Sequence, residues 1–291
     1  MNLNKFSKIN RVYLSYIAAL LIFGTNGILV SNISLEGSQI VLMRTLIGGL
    51  FLTAFVLLRG GFDKDNLRRE SVQIILGGAA LGLNWVMLFS AYRILNVSIS
   101  TLIYYAGPIL VLLFSPVLLN ESLTQRKIIS VIIVAVGLIC ISGSVVTSGM
   151  NLKGLIFAIL SAIFYAMLII FNKKISLTSG LQTAAIELDI AFLVVLIYVL
   201  VTSTLPKINS SDLPYIAIIG LLNTGIAYLL YFYGIQKLSG QSVALLSYVD
   251  PVSALIFSSI FLNETMSFVQ IIGSILIIGG AIYGEIKISK K

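Results

Sequence analysis

The chain has 291 residues, of which 58% are hydrophobic and only 10% charged, with a mean hydropathy of +1.05. That composition is too apolar for a water-soluble domain, and runs near the ~20 residues needed to cross a ~30 Å hydrocarbon core recur from end to end. The net charge of +8 comes without a solvated basic patch carrying stacking aromatics, which excludes a nucleic-acid binder.

Ten spans are predicted, in order 12–33, 38–58, 71–94, 97–118, 127–146, 154–172, 181–203, 214–235, 240–262 and 267–286. The first follows Lys5, Lys8 and Arg11, lacks a small-x-small cleavage site and reads as a retained span, not a signal peptide; it contains Asn26. Arg44 lies in the second. The third carries the Gly78-Ala-Ala-Leu-Gly82 spacing that lets helices approach closely, then Asn84 and Trp85 at mid-depth. In the fourth, Tyr104 and Tyr105 precede Pro108. The fifth holds Cys140, the single cysteine, so an intramolecular disulfide and a Cys-rich metal site are excluded. Ser161, Tyr165, Leu168 and Asn172 form a stripe on the sixth, and Glu187 and Asp189 lie in the seventh. Thr224, Tyr228 and Tyr231 share a face of the eighth at i, i+4, i+7. The ninth carries Tyr248, Asp250 and Pro251. The tenth opens on Ser267-Phe-Val-Gln270, which has capping-box spacing.

Pro108 cannot donate to the carbonyl of Tyr104, nor Pro251 to that of Ser247. A carbonyl freed at membrane depth persists only where protein or water solvates it, so the two prolines predict bends beside an interior cavity. With a cytoplasmic N-terminus, fifteen Lys and Arg fall on the inner side and three on the outer side, Arg93, Lys153 and Lys207. That bias places both termini in the cytoplasm.

The sequence also repeats itself at an offset of 143. Gly77/Gly220, Gly82/Gly225, Tyr105/Tyr248, Pro108/Pro251, Asn120/Asn263 and Glu121/Glu264 match, and such residues impose backbone or polar requirements that apolar composition does not supply. Five spans per half force opposite orientations. The expected fold is an all-α integral membrane protein built as two inverted five-helix repeats, residues 1–146 and 147–291, a construction used by secondary transporters.

Ala106-Gly107-Pro108 followed by Leu119-Asn120-Glu121-Ser122-Leu123, and Val249-Asp250-Pro251 followed by Leu262-Asn263-Glu264-Thr265, resemble the paired motif of the drug/metabolite transporter superfamily in its ten-span EamA-type branch. Gly225 to Gly234 in the eighth span and Arg44 also resemble the family pattern. The likeness covers essentially the whole chain, with two departures. Asn263 stands where the family often has Gly, and Arg44 is answered in the repeat by Glu187, of opposite charge. The resemblance implies a carrier in a bacterial-type cell membrane that moves amino acids or related small metabolites, commonly outward, by alternating access through a cavity between its halves. The acid in the first span on which the superfamily's small multidrug antiporters rely is missing from 12–33, so that mechanism does not carry over.

Ionisable groups inside spans are functional candidates by default. Asp250 leads them, as an ammonium or proton site; the chain has no histidine, so proton coupling would run through Asp or Glu. The expected cavity wall is Asp250, Trp85, Asn84, Tyr228, Tyr231, Tyr165, Tyr104, Tyr105, Tyr248 and Asn26, an aromatic and amide box suited to an apolar or aromatic amino acid or an organic amine. Pro108, Pro251, Arg44, Glu187, Glu121 and Glu264 are expected in structural or gating roles. Straight-helix depths, ~9 Å from opposite faces at ~1.5 Å per residue, argue against an Arg44–Glu187 pair. They favour local pairing or snorkelling of each group at its own face. Glu121 and Glu264 read as turn and cap residues. No catalytic residue, metal site or cofactor is expected. The expected partners are the bilayer and one small molecule, with a monomer or weak homo-oligomer as the assembly. A lipid-carrier flippase or a non-transporting membrane partner is the alternative; the single Arg well inside a span disfavours the flippase.

Overall fold

The computed structural model describes residues 3–95, 97–142, 151–202, 204–263 and 265–285. Glu264 and the basic residues Lys287, Lys290 and Lys291 lie outside the described residues, as does the boundary between the expected halves.

Every regular element among the described residues is helical. The helices are α1 (Leu3–Gly24), α2 (Asn26–Val30), α3 (Gly37–Leu58), α4 (Lys64–Arg69), α5 (Ser71–Tyr92), α6 (Val97–Tyr104), α7 (Ala106–Leu118) and α8 (Gln125–Ser142). They continue as α9 (Leu152–Lys173), α10 (Gly180–Thr202), α11 (Leu213–Gly220), a π-helical turn over Leu221–Ile226, α12 (Ala227–Lys237), α13 (Gly240–Leu246), α14 (Val249–Phe261) and α15 (Phe268–Glu285). Nine segments among the described residues are long and apolar enough to cross a membrane. The predicted fifth span is α8, whose description stops at Ser142; it packs along α15.

Four predicted spans are not single rods. Span 4 breaks at Tyr105 (φ −70°, ψ 0°) and span 9 at Ser247–Tyr248, where Tyr248 has φ −74° and ψ −4°. Both breaks fall just ahead of Pro108 and Pro251, which withhold the N–H that would continue the ladder. Span 1 breaks at Thr25 between α1 and α2. Span 8 carries the π turn, which periodicity alone did not reveal.

The main core gathers α1, α3, α5, α9, α10 and α12. Gly78 and Gly82 let α5 lie directly on α10: an added Cβ at Gly78 would sit 2.8 Å from Ile190, and one at Gly82 2.7 Å from Val194. A second cluster joins Val134, Tyr248, Val252 and Ile277. Exposed Leu14, Ile139, Ile197, Leu200 and Ile275 spread over the outside, as lipid-facing helices require.

Polar contacts concentrate at two ends. At one, the Glu70 carboxylate accepts from the backbone N–H groups of Ser176, Leu177 and Thr178 at 2.7, 2.9 and 2.8 Å. Glu121 accepts from Gly240 and Gln241 N–H at 2.6 and 3.0 Å. Lys173 donates to the carbonyls of Ile235 and Leu238 at the end of α12. At the other end Ser34 donates to Asp212 at 2.6 Å, and Arg93 pairs with Glu36 at 2.6 Å. Asn120 and Asn263, ahead of α8 and α15, adopt φ of 55° and 56°. That left-handed turn accounts for Asn where the family often has Gly, since both residues tolerate it. Ser267 and Gln270 form a reciprocal cap on α15.

Candidate functional site

The helix breaks converge on one cavity, which offers about 110 Å³ to the centres of water-sized molecules. That is room for several waters. Its lining includes Asn26, Asn84, Trp85, Tyr104, Tyr105, Tyr165, Tyr228, Tyr231 and Asp250, nine of the ten residues expected there. Arg44 and Pro108 also line it, with Leu20, Phe23, Leu81, Leu168 and Ser247.

Tyr248 is the exception. It is 1% exposed, and its hydroxyl donates to the Tyr105 carbonyl at 2.9 Å within the second core cluster. The break at Ser247–Tyr248 turns it away and leaves Ser247, one residue earlier, on the cavity wall.

Of local pairing and snorkelling, the two placements expected for Arg44, it takes the first. It is 9% exposed, and the guanidinium reaches inward to a prepared seat. Nε donates to Thr224 Oγ1 at 2.8 Å and a terminal nitrogen to the Asn223 carbonyl at 3.4 Å. Both partners belong to the π turn, whose wide i→i+5 winding frees backbone groups for side chains. Asn223 in turn donates to Ile22 O, Thr25 Oγ1 and Asn26 Oδ1 at 2.8, 2.9 and 3.1 Å, so the breaks of spans 1 and 8 support each other. The Arg44 guanidinium carbon stands 5.6 Å from the centre of the Trp85 ring, within cation–π range. Thr224 thus supports Arg44, although its i, i+4, i+7 spacing had suggested a shared face with Tyr228 and Tyr231.

Asp250 lines the same cavity in the first turn of α14. Arg44 is not among the ion pairs of the described residues, which are Arg93–Glu36 and Lys127–Glu285, so Arg44 and Asp250 line one cavity without direct contact between their charged atoms. The repeat counterpart of Asp250, Gly107, has no room for a side chain: an added Cβ would sit 2.7 Å from the Tyr165 ring. Packing keeps the cavity electrically one-sided.

Aromatic rings fill the space between the charges. Trp85 meets Tyr228 edge-on at 5.9 Å, Phe23 touches Tyr228 and Tyr231 at 5.0 and 5.5 Å, and Tyr104 meets Tyr165 at 5.5 Å. One wall is closed by hydroxyls. Ser247 Oγ lies 2.9 Å from Tyr16 OH and 2.8 Å from Tyr165 OH, and Tyr231 OH donates to Tyr165 OH at 3.3 Å. Asn84 is anchored by donating to the Ser161 carbonyl at 2.7 Å.

Glu187 is elsewhere. It is fully buried, and Asn172 Nδ2 donates to its two carboxylate oxygens at 3.0 and 2.9 Å. It makes no pair with Arg44, and local pairing is what the structure gives it. Thr53 donates to Asp189 at 2.8 Å between α3 and α10. The described residues contain no group of three or more His, Cys, Asp or Glu side chains able to hold a metal.

The EamA-like transporter family matches residues 10–143 and 152–283. The chain is 27% identical to "Uncharacterized transporter YxxF" of Bacillus subtilis (strain 168), over 91% of this chain and 86% of that protein. It is 26% identical to "Protein PecM" of Dickeya dadantii (strain 3937), covering 72% and 71%. It is 25% identical to "Uncharacterized inner membrane transporter YedA" of Escherichia coli (strain K12), covering 78% and 74%. A solved crystal structure superposes with a TM-score of 0.84 over 94% of this chain and 97% of that one, at 21% identity, a likeness of fold alone.

Proposed function

The chain belongs to the EamA-like transporter family, and we propose that it is a secondary transporter, working as an exporter, for amino acids or closely related small metabolites. It is a multi-pass membrane protein in contact with the bilayer. The carrying observation is the cavity itself, where Arg44 and Asp250, which form no direct ion pair with each other, share an aromatic box. Arg44 is the partner for a substrate carboxylate, Asp250 for its ammonium, and Trp85, Tyr228 and Tyr104 for its side chain. Each charged contact contributes on the order of 1.5–3 kcal/mol.

Alternating access follows from the proposed architecture of ten spans in two inverted halves, 1–146 and 147–291. Two features support it. Repeat partners touch each other, as they must near a pseudo-twofold axis: Trp85 meets Tyr228 at 5.9 Å and Tyr105 meets Tyr248 at 6.4 Å. Related contacts also recur at opposite ends. Glu70 holds residues 176–178 at one end and Asp212 holds Ser34 at the other, positions offset by 142 to 143. The basic segments around Arg68 and Lys173 gather at the Glu70 end, which we assign to the cytoplasm together with both termini.

Flux of labelled amino acids in proteoliposomes tests the reading. Asp250→Asn keeps shape but removes charge, so it should express normally while transport falls ten- to a hundredfold. If Asp250→Asn transports normally across a range of pH while Trp85 or Tyr228 substitutions abolish flux, recognition is aromatic and polar and the charge pair is not its basis.

A further inference from the structure

Arg44 and Glu187 occupy equivalent places in the repeat, offset by 143, yet of the two only Arg44 lines the cavity. Glu187 sits in the contact of α10 with α5 and α9. It is fully buried, Asn172 Nδ2 donates to both its carboxylate oxygens, and a Cβ added at Gly77 would collide with them. The charged groups of the surrounding elements are engaged elsewhere. Asp189 of α10 accepts from Thr53, Lys173 of α9 donates to the carbonyls of Ile235 and Leu238, and Glu70, ahead of α5, accepts from residues 176–178. Arg44 of α3 is held by the π turn, Arg59 at the end of α3 lies over Phe55, and Lys237 of α12 lies over Tyr233. Tyr165 of α9 and Tyr228 and Tyr231 of α12 line the cavity. An ionised Glu187 would therefore stand in a helix interface without a cation, which a low-dielectric interior penalises severely.

The hydrogen-bond count agrees. Asn172 Nδ2 has two hydrogens for three acceptors, the Leu168 carbonyl and the two Glu187 oxygens, while buried Asn172 Oδ1 receives no hydrogen bond. A proton on Glu187 removes one acceptor and adds one donor. We propose that Glu187 is the proton carrier of the transport cycle, neutral in this interface and exchanging its proton with cavity water when the protein faces the other way. This rests on the alternating access proposed above. Rocking of one inverted repeat against the other carries each half into the conformation of its twin. Glu187 then takes the cavity position that Arg44 holds now, and Arg44 withdraws. In the cavity the carboxyl O–H breaks, its electron pair stays on the carboxylate and the proton passes to water. Asp250 remains the partner of the substrate ammonium, so coupling and recognition fall on different carboxylates.

Difference infrared spectroscopy of full-length protein in proteoliposomes tests the proton. At neutral pH the wild type should show a protonated-carboxyl C=O band that Glu187→Gln removes and Glu187→Asp restores. Loss of ionised-carboxylate bands in its place would make Glu187 a charged packing residue and overturn the proposal. Flux of labelled amino acids under an imposed pH gradient tests the coupling. The wild type should accumulate substrate about tenfold per unit of gradient at one proton per cycle. Glu187→Gln imitates the protonated acid, so it should fold and exchange substrate without a gradient, yet lose accumulation and the pH dependence of flux; Glu187→Asp should recover both. Gradient-driven accumulation that survives Glu187→Gln would overturn the proposal. The band needs no substrate, so its absence counts against Glu187 whatever the flux. A wild type that keeps the band but moves no labelled amino acid overturns the transport reading and, with it, the coupling.

Discussion

Arg44 is held by geometry that only a guanidinium satisfies. Its Nε and terminal nitrogen reach Thr224 and Asn223 in the π turn while the plane approaches Trp85. A lysine has one point of charge and cannot do all three. Arg44→Lys should therefore leave folding intact while lowering transport efficiency about ten- to a hundredfold, measured as initial flux against substrate concentration. Wild-type flux in this variant would reduce Arg44 to a buried positive charge of no set geometry. Straight-helix arithmetic left Arg44 between local pairing and snorkelling because it ignores the partners a broken neighbour can offer. The π turn carried a faint signal, the polar Asn223-Thr224 pair in the middle of an apolar span. Phe23 carried none, since nothing distinguishes it from other apolar residues of its span. Asp250 and the cavity tyrosines were legible because polar tips far from the interfaces need an interior to face.

Helix breaks and turns decide where those residues point. Proline announces two of the breaks in the sequence; the breaks at Thr25 and in the π turn depend on tertiary hydrogen bonds through Asn223 and stay hidden until the helices are assembled. The paired Asn residues were legible as turn formers, and their φ of 55° and 56° supplies the physical reason. Asn120 closes the turn that aims Glu121 at the N-terminus of α13. Asn120→Gly should change stability by only a few tenths of a kcal/mol, because glycine enters the left-handed region freely. Asn120→Val should cost about 1–2 kcal/mol through clash of the branched side chain with the backbone. Thermal unfolding in detergent separates the two; equal effects would mean that the turn relaxes out of its left-handed conformation.

At the scale of the whole molecule, the repeat was readable because matched Gly, Pro and Asn-Glu positions survive in both halves, whereas the ties that fasten one end join residues far apart in sequence. They are long-range caps, in which a carboxylate from one connection satisfies backbone donors of another. Glu70 is the clearest, with 6% exposure and three backbone N–H donors from residues 176–178. Burial pushes its carboxyl up, but the three backbone hydrogen bonds outweigh burial and hold it below the ordinary glutamate range. A group whose folded value is depressed contributes stability that is present above the unfolded value, about 4.3, and is lost as pH falls through the folded value. Wild-type protein should therefore lose thermal stability as pH falls below about 4.3. Glu70→Gln carries a single carbonyl oxygen and no charge, so it should be less stable at neutral pH and should lack this part of the acid limb. The gap between the two melting curves should be widest near pH 7 and narrow as the medium is acidified. A gap that stays constant from neutral to acid would show that Glu70 acts through packing, with its charge irrelevant to the tie between the α4–α5 and α9–α10 connections.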